Sequence, residues 1–422
     1  MAFMVLALPY LLNRLLTQQE YAIWVLGFQA ALYIPMFGLG INQLIIRSVA
    51  YNLSRGEKDQ VRKSVSAGLG VITLLFCISC VFVLLGGLFI TDIAKVSLEM
   101  HAAIKEVWFK VGLASSAGLF SLFFFGCFGG IHRYEWESLY RVIISLLFIV
   151  GILLVWSSGY RLSPEILANI YFAVIAIGLC MLLARFLTQN AIARPQIRDI
   201  SKPEIRTYFL GMYGLSVWQI GILMVSGFDV LIVSRVAFSA VPGYSIALTF
   251  PLFLSGAIAA VASPCLPRFS AELSKPGHGQ FQQIFLRYQG YLIIFTITVF
   301  ACFLLIPASL WTYFLKDSAD VFMRVFPILL AATCFRIMTV LYGLAIVSAN
   351  IQHTVILSPL LEGLVNLIFS VVLAYWIGPV GVAIGTLIGS IVCLLLHSLY
   401  NIPRTNKNIP LTPLALILPW KV

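Results

Sequence analysis

The feature that most constrains this chain is a succession of long apolar runs, each ending in charge, Pro or Gly. They cover residues 2–16, 21–46, 65–90, 107–130, 142–157, 167–188, 208–232, 240–263, 285–311, 325–349, 354–376 and 379–400. About 20 apolar residues cross a bilayer core as a helix, and inside lipid each backbone polar group must be satisfied within its own segment or a closed barrel. Runs of this length therefore predict an all-α integral membrane protein with about 12 transmembrane helices. Of 422 residues, 61% are hydrophobic and 10% charged, against about 45–50% and 25% in soluble domains. That leaves no room for a sizeable extramembrane domain. The first run is short for a span, so either it begins upstream of Met1 or it is re-entrant. Leu411 to Trp420 reads as a thirteenth span cut short or as an interfacial tail.

Lys and Arg number 27 against 16 Asp and Glu, a net +11. Such an excess serves nucleic acid, anionic lipid, or the bias that orients membrane helices. With the N-terminus inside, the inner loops hold 18 basic residues and the outer loops 7. The excess is thus an orientation signal: both termini are expected in the cytoplasm, and no nucleic-acid partner is expected. Trp108, Trp156, Trp311 and Trp376 fall at expected outer ends, where indole rings favour the headgroup level.

The chemistry of an enzyme is hard to find. Eight cysteines lie in or beside apolar stretches and read as small hydrophobes; the pair Cys77 and Cys80 lacks a second pair or a nearby histidine. His101, His132, His278, His353 and His397 are scattered, without the spacing of a metal site, and no phosphate-binding Gly-rich loop with a Lys-Ser/Thr tail occurs. No catalytic residue, cofactor or metal is expected, and any transport would draw on an ion gradient, the membrane potential or the substrate's own gradient.

An internal repeat organises the chain. Arg47, Ala50, Leu53, Ser54, Arg55 and Gly56 recur as Arg268, Ala271, Leu273, Ser274, Lys275 and Gly277, with Pro276 inserted, at an offset of about 220. The same offset pairs His132 with His353, Arg141 with Glu362 and Trp156 with Trp376, and a slightly larger one pairs Tyr21 with Tyr244. Six spans separate the copies, so orientation is preserved and the repeat is parallel, about an axis along the membrane normal. Two six-helix lobes follow, 1–200 and 201–422, joined by the basic linker 193–206. A central cavity between lobes, opened by alternating access, is the expected site.

Charge inside the spans marks candidates, because a buried ion is costly in lipid. Arg336 lies 12 residues after Arg324 and 13 before Ala349, about 18 Å from either end. It is either an anion-binding side chain or half of an ion pair with Glu362. Glu362 shares a helix face with Asn366, and the two are candidates for ion coupling. Asp229 is a third, unless it is an interfacial carboxylate. Lys110, one turn from Glu106, snorkels or turns inward; Arg14 and Arg47 are headgroup anchors or attract a phosphate. Pro9, Pro35, Pro251, Pro307, Pro327 and Pro359 interrupt or begin spans. Gly381, Gly385 and Gly389 permit close helix approach.

Several stretches together carry a family resemblance. Leu11-Leu12-Asn13-Arg14-Leu15-Leu16 with Glu20-Tyr21-Ala22-Ile23-Trp24 resembles the opening of Wzx-type polysaccharide (O-antigen repeat unit) flippases. These belong to the multidrug/oligosaccharidyl-lipid/polysaccharide exporter superfamily. Phe228-Asp229-Val230-Leu231-Ile232, Gly243-Tyr244-Ser245-Ile246-Ala247 and Leu266-Pro267-Arg268-Phe269-Ser270 are similar to later blocks of that family. So are Glu362-Gly363-Leu364-Val365-Asn366 and Gly378-Pro379-Val380-Gly381-Val382. The resemblance runs from about residue 5 to 400.

It implies a V-shaped pair of lobes in the bacterial cytoplasmic (inner) membrane. The family moves undecaprenyl-pyrophosphate-linked oligosaccharide repeat units to the periplasmic leaflet for surface polysaccharide synthesis. It implies partners in membrane lipids and in the polymerase and chain-length proteins of the same pathway. It also implies a cationic cavity, with Arg14, Arg47, Lys110 and Arg336 as substrate-binding candidates, and proton or sodium coupling. The competing readings are a drug or cation antiporter of the same superfamily and a membrane polymerase or ligase. The enzyme is disfavoured because the longest outer loop, Thr91 to Glu106, is only 16 residues.

Overall fold

The computed structural model describes residues 2–421 except 39, 95, 190–193, 201, 274, 276, 278–279, 350 and 356. Met1, Ser274, Pro276 and His278, named above, and the linker's first residue, Ala193, lie outside the described residues. The described chain is mostly helical and contains no strand. It divides into two compact units, Leu11–Ile220 and Gly221–Val422, the second also taking in Ala2 and Met4–Tyr10.

The helices of the first half are α1 (Ala2–Leu15), α2 (Gln18–Tyr33), α3 (Ile41–Ser54), α4 (Lys58–Ala94), α5 (His101–Gly130), α6 (Glu135–Ser157) and α7 (Pro164–Leu187). Then follow α8 (Lys202–Ser226), α9 (Asp229–Val236), α10 (Val241–Ala262), α11 (Cys265–Leu273), α12 (Phe281–Leu304) and α13 (Ala308–Leu315). The last are α14 (Ala319–Ile337), α15 (Val340–Ser348), α16 (Leu357–Ile377), α17 (Pro379–Leu395) and α18 (Ile402–Thr405). Ten helical segments among the described residues are long and apolar enough to cross a membrane; α1 and α8 stand at the other two expected positions. The division between units falls inside α8.

Local chemistry sets the ends of these helices. Thr17 caps α2 in a reciprocal box: the Glu20 N–H donates to Thr17 Oγ1 at 3.3 Å, and the Thr17 N–H to Glu20 Oε2 at 2.9 Å. Pro35 falls in a 3₁₀ turn, Ile34–Gly38, that separates α2 from α3. The turns after α3 and after α6 place Gly56 and Gly159 at φ 73° and 76°, and the turns after α11 and α16 place Gly277 and Gly378 at 67° and 62°. Only glycine enters that left-handed region without strain. Pro164 and Pro379 then open α7 and α17 at the helix start, where their missing N–H is harmless. The two halves thus repeat the same turns in the same order.

In the first unit α5 is the central helix, packed on α2, α3, α4 and α7. In the second, α14 holds that place against α10, α12 and α17, while α16 and α17 form a close hairpin. The hairpin depends on glycine: a Cβ on Gly385 would stand 2.3 Å from Ser370 Oγ and 2.4 Å from its backbone nitrogen. The outside is apolar, with Leu154, Trp156, Leu305 and Trp376 exposed, as hydrocarbon solvent requires.

Three expectations are corrected. Trp108 is buried and donates its indole N–H to the Val83 carbonyl at 2.9 Å; packing against α4 outweighs the headgroup preference. The expected outer loop from Thr91 to Glu106 is mostly helix, since α4 continues to Ala94 and α5 starts at His101. Leu411 to Trp420 is not a helical span. It folds as short 3₁₀ turns that pack on α12, with Leu411, Ala415 and Leu416 buried.

Candidate functional site

The second unit contains two breaks within expected spans, and the polar residues gather around them. The first break separates α8 from α9 at Gly227 and Phe228. A break frees backbone groups that lipid cannot satisfy. Here the Asn366 side chain, fully buried on α16, donates to the Val225 carbonyl in the last turn of α8. Asp229 opens α9, where the helix dipole favours a carboxylate. It is 2% exposed, so neighbouring helices rather than solvent surround it.

Its side-chain partners come from two other helices. Asp229 Oδ2 accepts from Tyr244 OH of α10 at 3.2 Å and from Thr386 Oγ1 of α17 at 3.1 Å. Thr386 Oγ1 also lies 3.2 Å from the Val382 carbonyl. Ser370 Oγ, on α16, stands 2.7 Å from Asn366 Oδ1 and 3.2 Å from that same carbonyl. A carboxylate, a carboxamide, a carbonyl and three hydroxyls are thereby brought together, with no cation among their hydrogen-bond partners in the described residues.

The second break follows Arg336, with α14 ending at Ile337 and α15 starting at Val340. Arg336 Nε donates to Glu362 Oε1 at 3.0 Å, and a terminal nitrogen donates to Ser390 Oγ at 3.2 Å. Ser390 Oγ donates in turn to the Thr386 carbonyl at 2.9 Å. Glu362 is 9% exposed in its side chain and Arg336 32%. The geometry is the ion pair weighed above. Removing one partner of such a pair leaves an uncompensated buried charge, which costs about 3–5 kcal/mol.

The remaining candidates do not join this cluster. Arg14 and Arg47 are exposed at the end of α1 and on α3, and Arg47 forms no ion pair among the described residues. Lys110 is bonded to Glu106 at 2.5 Å, one turn away on α5. In the linker, Arg62 of α4 holds Asp199 at 2.6 Å, and the Gln196 N–H donates to Ser66 Oγ at 2.9 Å, so this segment is pinned to the first unit.

Sequence reasoning missed Tyr244, Ser370, Thr386, Ser390 and Gln289. A signal was present for some. Ser358, Glu362, Asn366 and Ser370 recur every four residues on α16, and all four are buried; Thr386 and Ser390 repeat that spacing on α17. Among the described residues no group of three His, Cys, Asp or Glu could hold a metal, and all eight cysteines are free.

The sequence matches no protein-family model and no curated protein. The fold is that of known transporters. An inward-facing multidrug resistance MATE family transporter of the MOP superfamily aligns with TM-score 0.69 and 14% identity over 96% of this chain and 98% of its own. The lipid II flippase MurJ, in an inward closed conformation, aligns with TM-score 0.67 and 15% identity over 92% and 85%. A MATE transporter of Vibrio cholerae gives 0.61 and 15% over 93% and 91%.

Proposed function

We propose that this multi-pass membrane protein is an ion-coupled flippase for undecaprenyl-pyrophosphate-linked oligosaccharide repeat units. It would carry them from the cytoplasmic to the periplasmic leaflet by alternating access, from the bacterial cytoplasmic membrane, with both termini in the cytoplasm. The observation that carries the transport reading is the charge cluster buried in the second unit of a fold shared with a lipid flippase and with multidrug transporters. Burying Asp229 and Glu362, with Arg336 half-buried beside them, is expensive, and inside a membrane that expense usually marks an ion or substrate path. The substrate class rests on the ordered Wzx-like blocks and on the exposed Arg14 and Arg47, whose charge suits a pyrophosphate. In this reading the repeat-unit polymerase and chain-length proteins act downstream.

Within the cluster we assign coupling to Asp229 and Asn366 rather than to Glu362. Among the described residues Asp229 is offered only hydroxyl donors, whereas Glu362 is already neutralised by Arg336. An all-oxygen set suits a hard cation or a proton.

The drug or cation antiporter is the second reading, and one observation favours it. Because Glu362 cancels the charge of Arg336, the midplane no longer argues against a cationic cargo. The test is the sidedness of undecaprenyl-pyrophosphate-linked repeat units in cells lacking the protein, read with a probe confined to the periplasm. Repeat units trapped facing inward, and released outward when the gene is restored, support the flippase. An unchanged distribution moves the assignment to the antiporter, and outward-facing unpolymerised units would restore the polymerase.

A further inference from the structure

The break between α14 and α15 leaves a carbonyl exposed inside a span, and one side chain reaches it. Gln289, fully buried on α12, donates through Nε2 to the Met338 carbonyl at 2.8 Å and to the Leu416 carbonyl at 2.9 Å. These acceptors belong to distant segments. Met338 lies two residues beyond Arg336, and Leu416 lies in the C-terminal segment. Ile409, Leu411, Ala415 and Leu416 are packed in one core with Leu341, Tyr342 and Ala345 of α15. The ring of Trp420 lies over Gly290, the neighbour of Gln289, at 3.7 Å from where a Cβ would stand.

Packing alone does not account for this amide. Gln289 Oε1 is buried without a hydrogen-bond partner among the described residues, and an orphaned acceptor costs free energy that an apolar side chain of the same size would not. The two donated bonds are what offset that cost. The internal repeat points the same way. The position equivalent to Gln289 in the first unit is Gly68 or Leu69, and there α5 runs unbroken through its full length, with no freed carbonyl to satisfy.

We propose that Gln289 is a positioning residue for transport: it straps the C-terminal segment to the α14–α15 break and so fixes the direction in which α14 presents Arg336 to Glu362. The functional half of this inference rests on the transporter reading; the strap itself does not.

The test uses the full-length protein in lipid nanodiscs, with Gln289→Met, which keeps the volume and removes the donor. Gln289→Asn keeps the amide and shortens its reach by one carbon. Loss of one bonding group to each segment should raise amide exchange about tenfold in peptides covering both 337–343 and 411–418, while the rest of α12 is unchanged. The Asn variant should show the same pattern at smaller amplitude. In transport assays turnover should fall about tenfold with the apparent KM unchanged. Exchange that rises in neither segment, or in the C-terminal segment alone, would overturn the strap. Wild-type turnover in a variant whose two segments have loosened would overturn the positioning role. Because exchange is read without substrate, a failure of the repeat-unit reading leaves the strap standing and is seen separately.

Discussion

α5 and the pair α14–α15 stand at the same place in the order of their units, yet they solve the crossing of the membrane differently. α5 runs for 30 residues without interruption; its partner stops after Arg336 and restarts at Val340. The positions equivalent to Arg336 are Ser115 and Ser116. Ser115 Oγ meets Tyr171 OH at 3.1 Å, and no ion is buried there. In the second unit a break, a buried amide and a charge pair occur together. One copy of a repeated architecture is a hydroxyl-lined packing core, and the other holds the buried carboxylates and the ion pair. A break needs polar side chains to satisfy the freed backbone, and once these are present a charge can be buried at lower added cost.

The largest expected effect would break this comparison outright. Asp229→Asn removes the charge while keeping shape, so ion-coupled transport should fall by two orders of magnitude with the protein still inserted. The flux of reconstituted vesicles under an imposed gradient measures it. The dependence of rate on external pH or sodium should flatten in this variant but persist in Glu362→Gln, because Glu362 is committed to Arg336. Retained coupling in Asp229→Asn would remove the second unit's claim to the chemistry.

Next comes the pair itself. Arg336→Ala should destabilise the folded protein by about 3–5 kcal/mol, since Glu362 is left buried and unpaired. Arg336→Met combined with Glu362→Leu should recover most of that loss. Thermal unfolding in detergent reads both. If the double variant is stable yet inactive, the pair serves transport; if it is stable and active, it serves the fold alone.

A third prediction contrasts close and open helix contacts. Gly385→Ala drives a Cβ into the backbone of Ser370 and should cost about 1–3 kcal/mol. Gly118→Ala on α5 meets nothing closer than Ile175 at 3.9 Å, and should be neutral or stabilising by up to about 1 kcal/mol.

The extent to which this was legible in the sequence follows from the range over which each signal acts. Hydropathy acts within one segment, so the span positions, the Pro35 break and the glycine turns could be read directly. The break after Arg336 has no proline. It is held by Gln289, some fifty residues earlier, and that side chain is held by Leu416, far later in the chain. Asp229 looked superficial because its nearest sequence neighbours are those of a span end; Tyr244 and Thr386 bury it from other helices. Trp108 misled for the same reason, since the carbonyl that holds it belongs to α4. The α16 series of buried polar residues was visible as a period of four. Its meaning depended on α17 lying close enough to complete it.

The smallest effect belongs to one of the first unit's charge pairs, and it sharpens the comparison from the other side. Lys110 and Glu106 lie on a single helix, one turn apart, with side chains 33% and 46% exposed. Such a pair loses little water on forming and joins no second element, so it is worth about 0–1 kcal/mol. Lys110→Gln should leave thermal stability within that range. If the basic side chains of the first unit act only by drawing an anionic headgroup inward, the variant should slow uptake modestly, and raising the salt concentration should erase the difference from wild type by screening. A loss of transport as deep as that of Asp229→Asn, insensitive to salt, would instead place a specific site on α5 and end the division of labour between the two units.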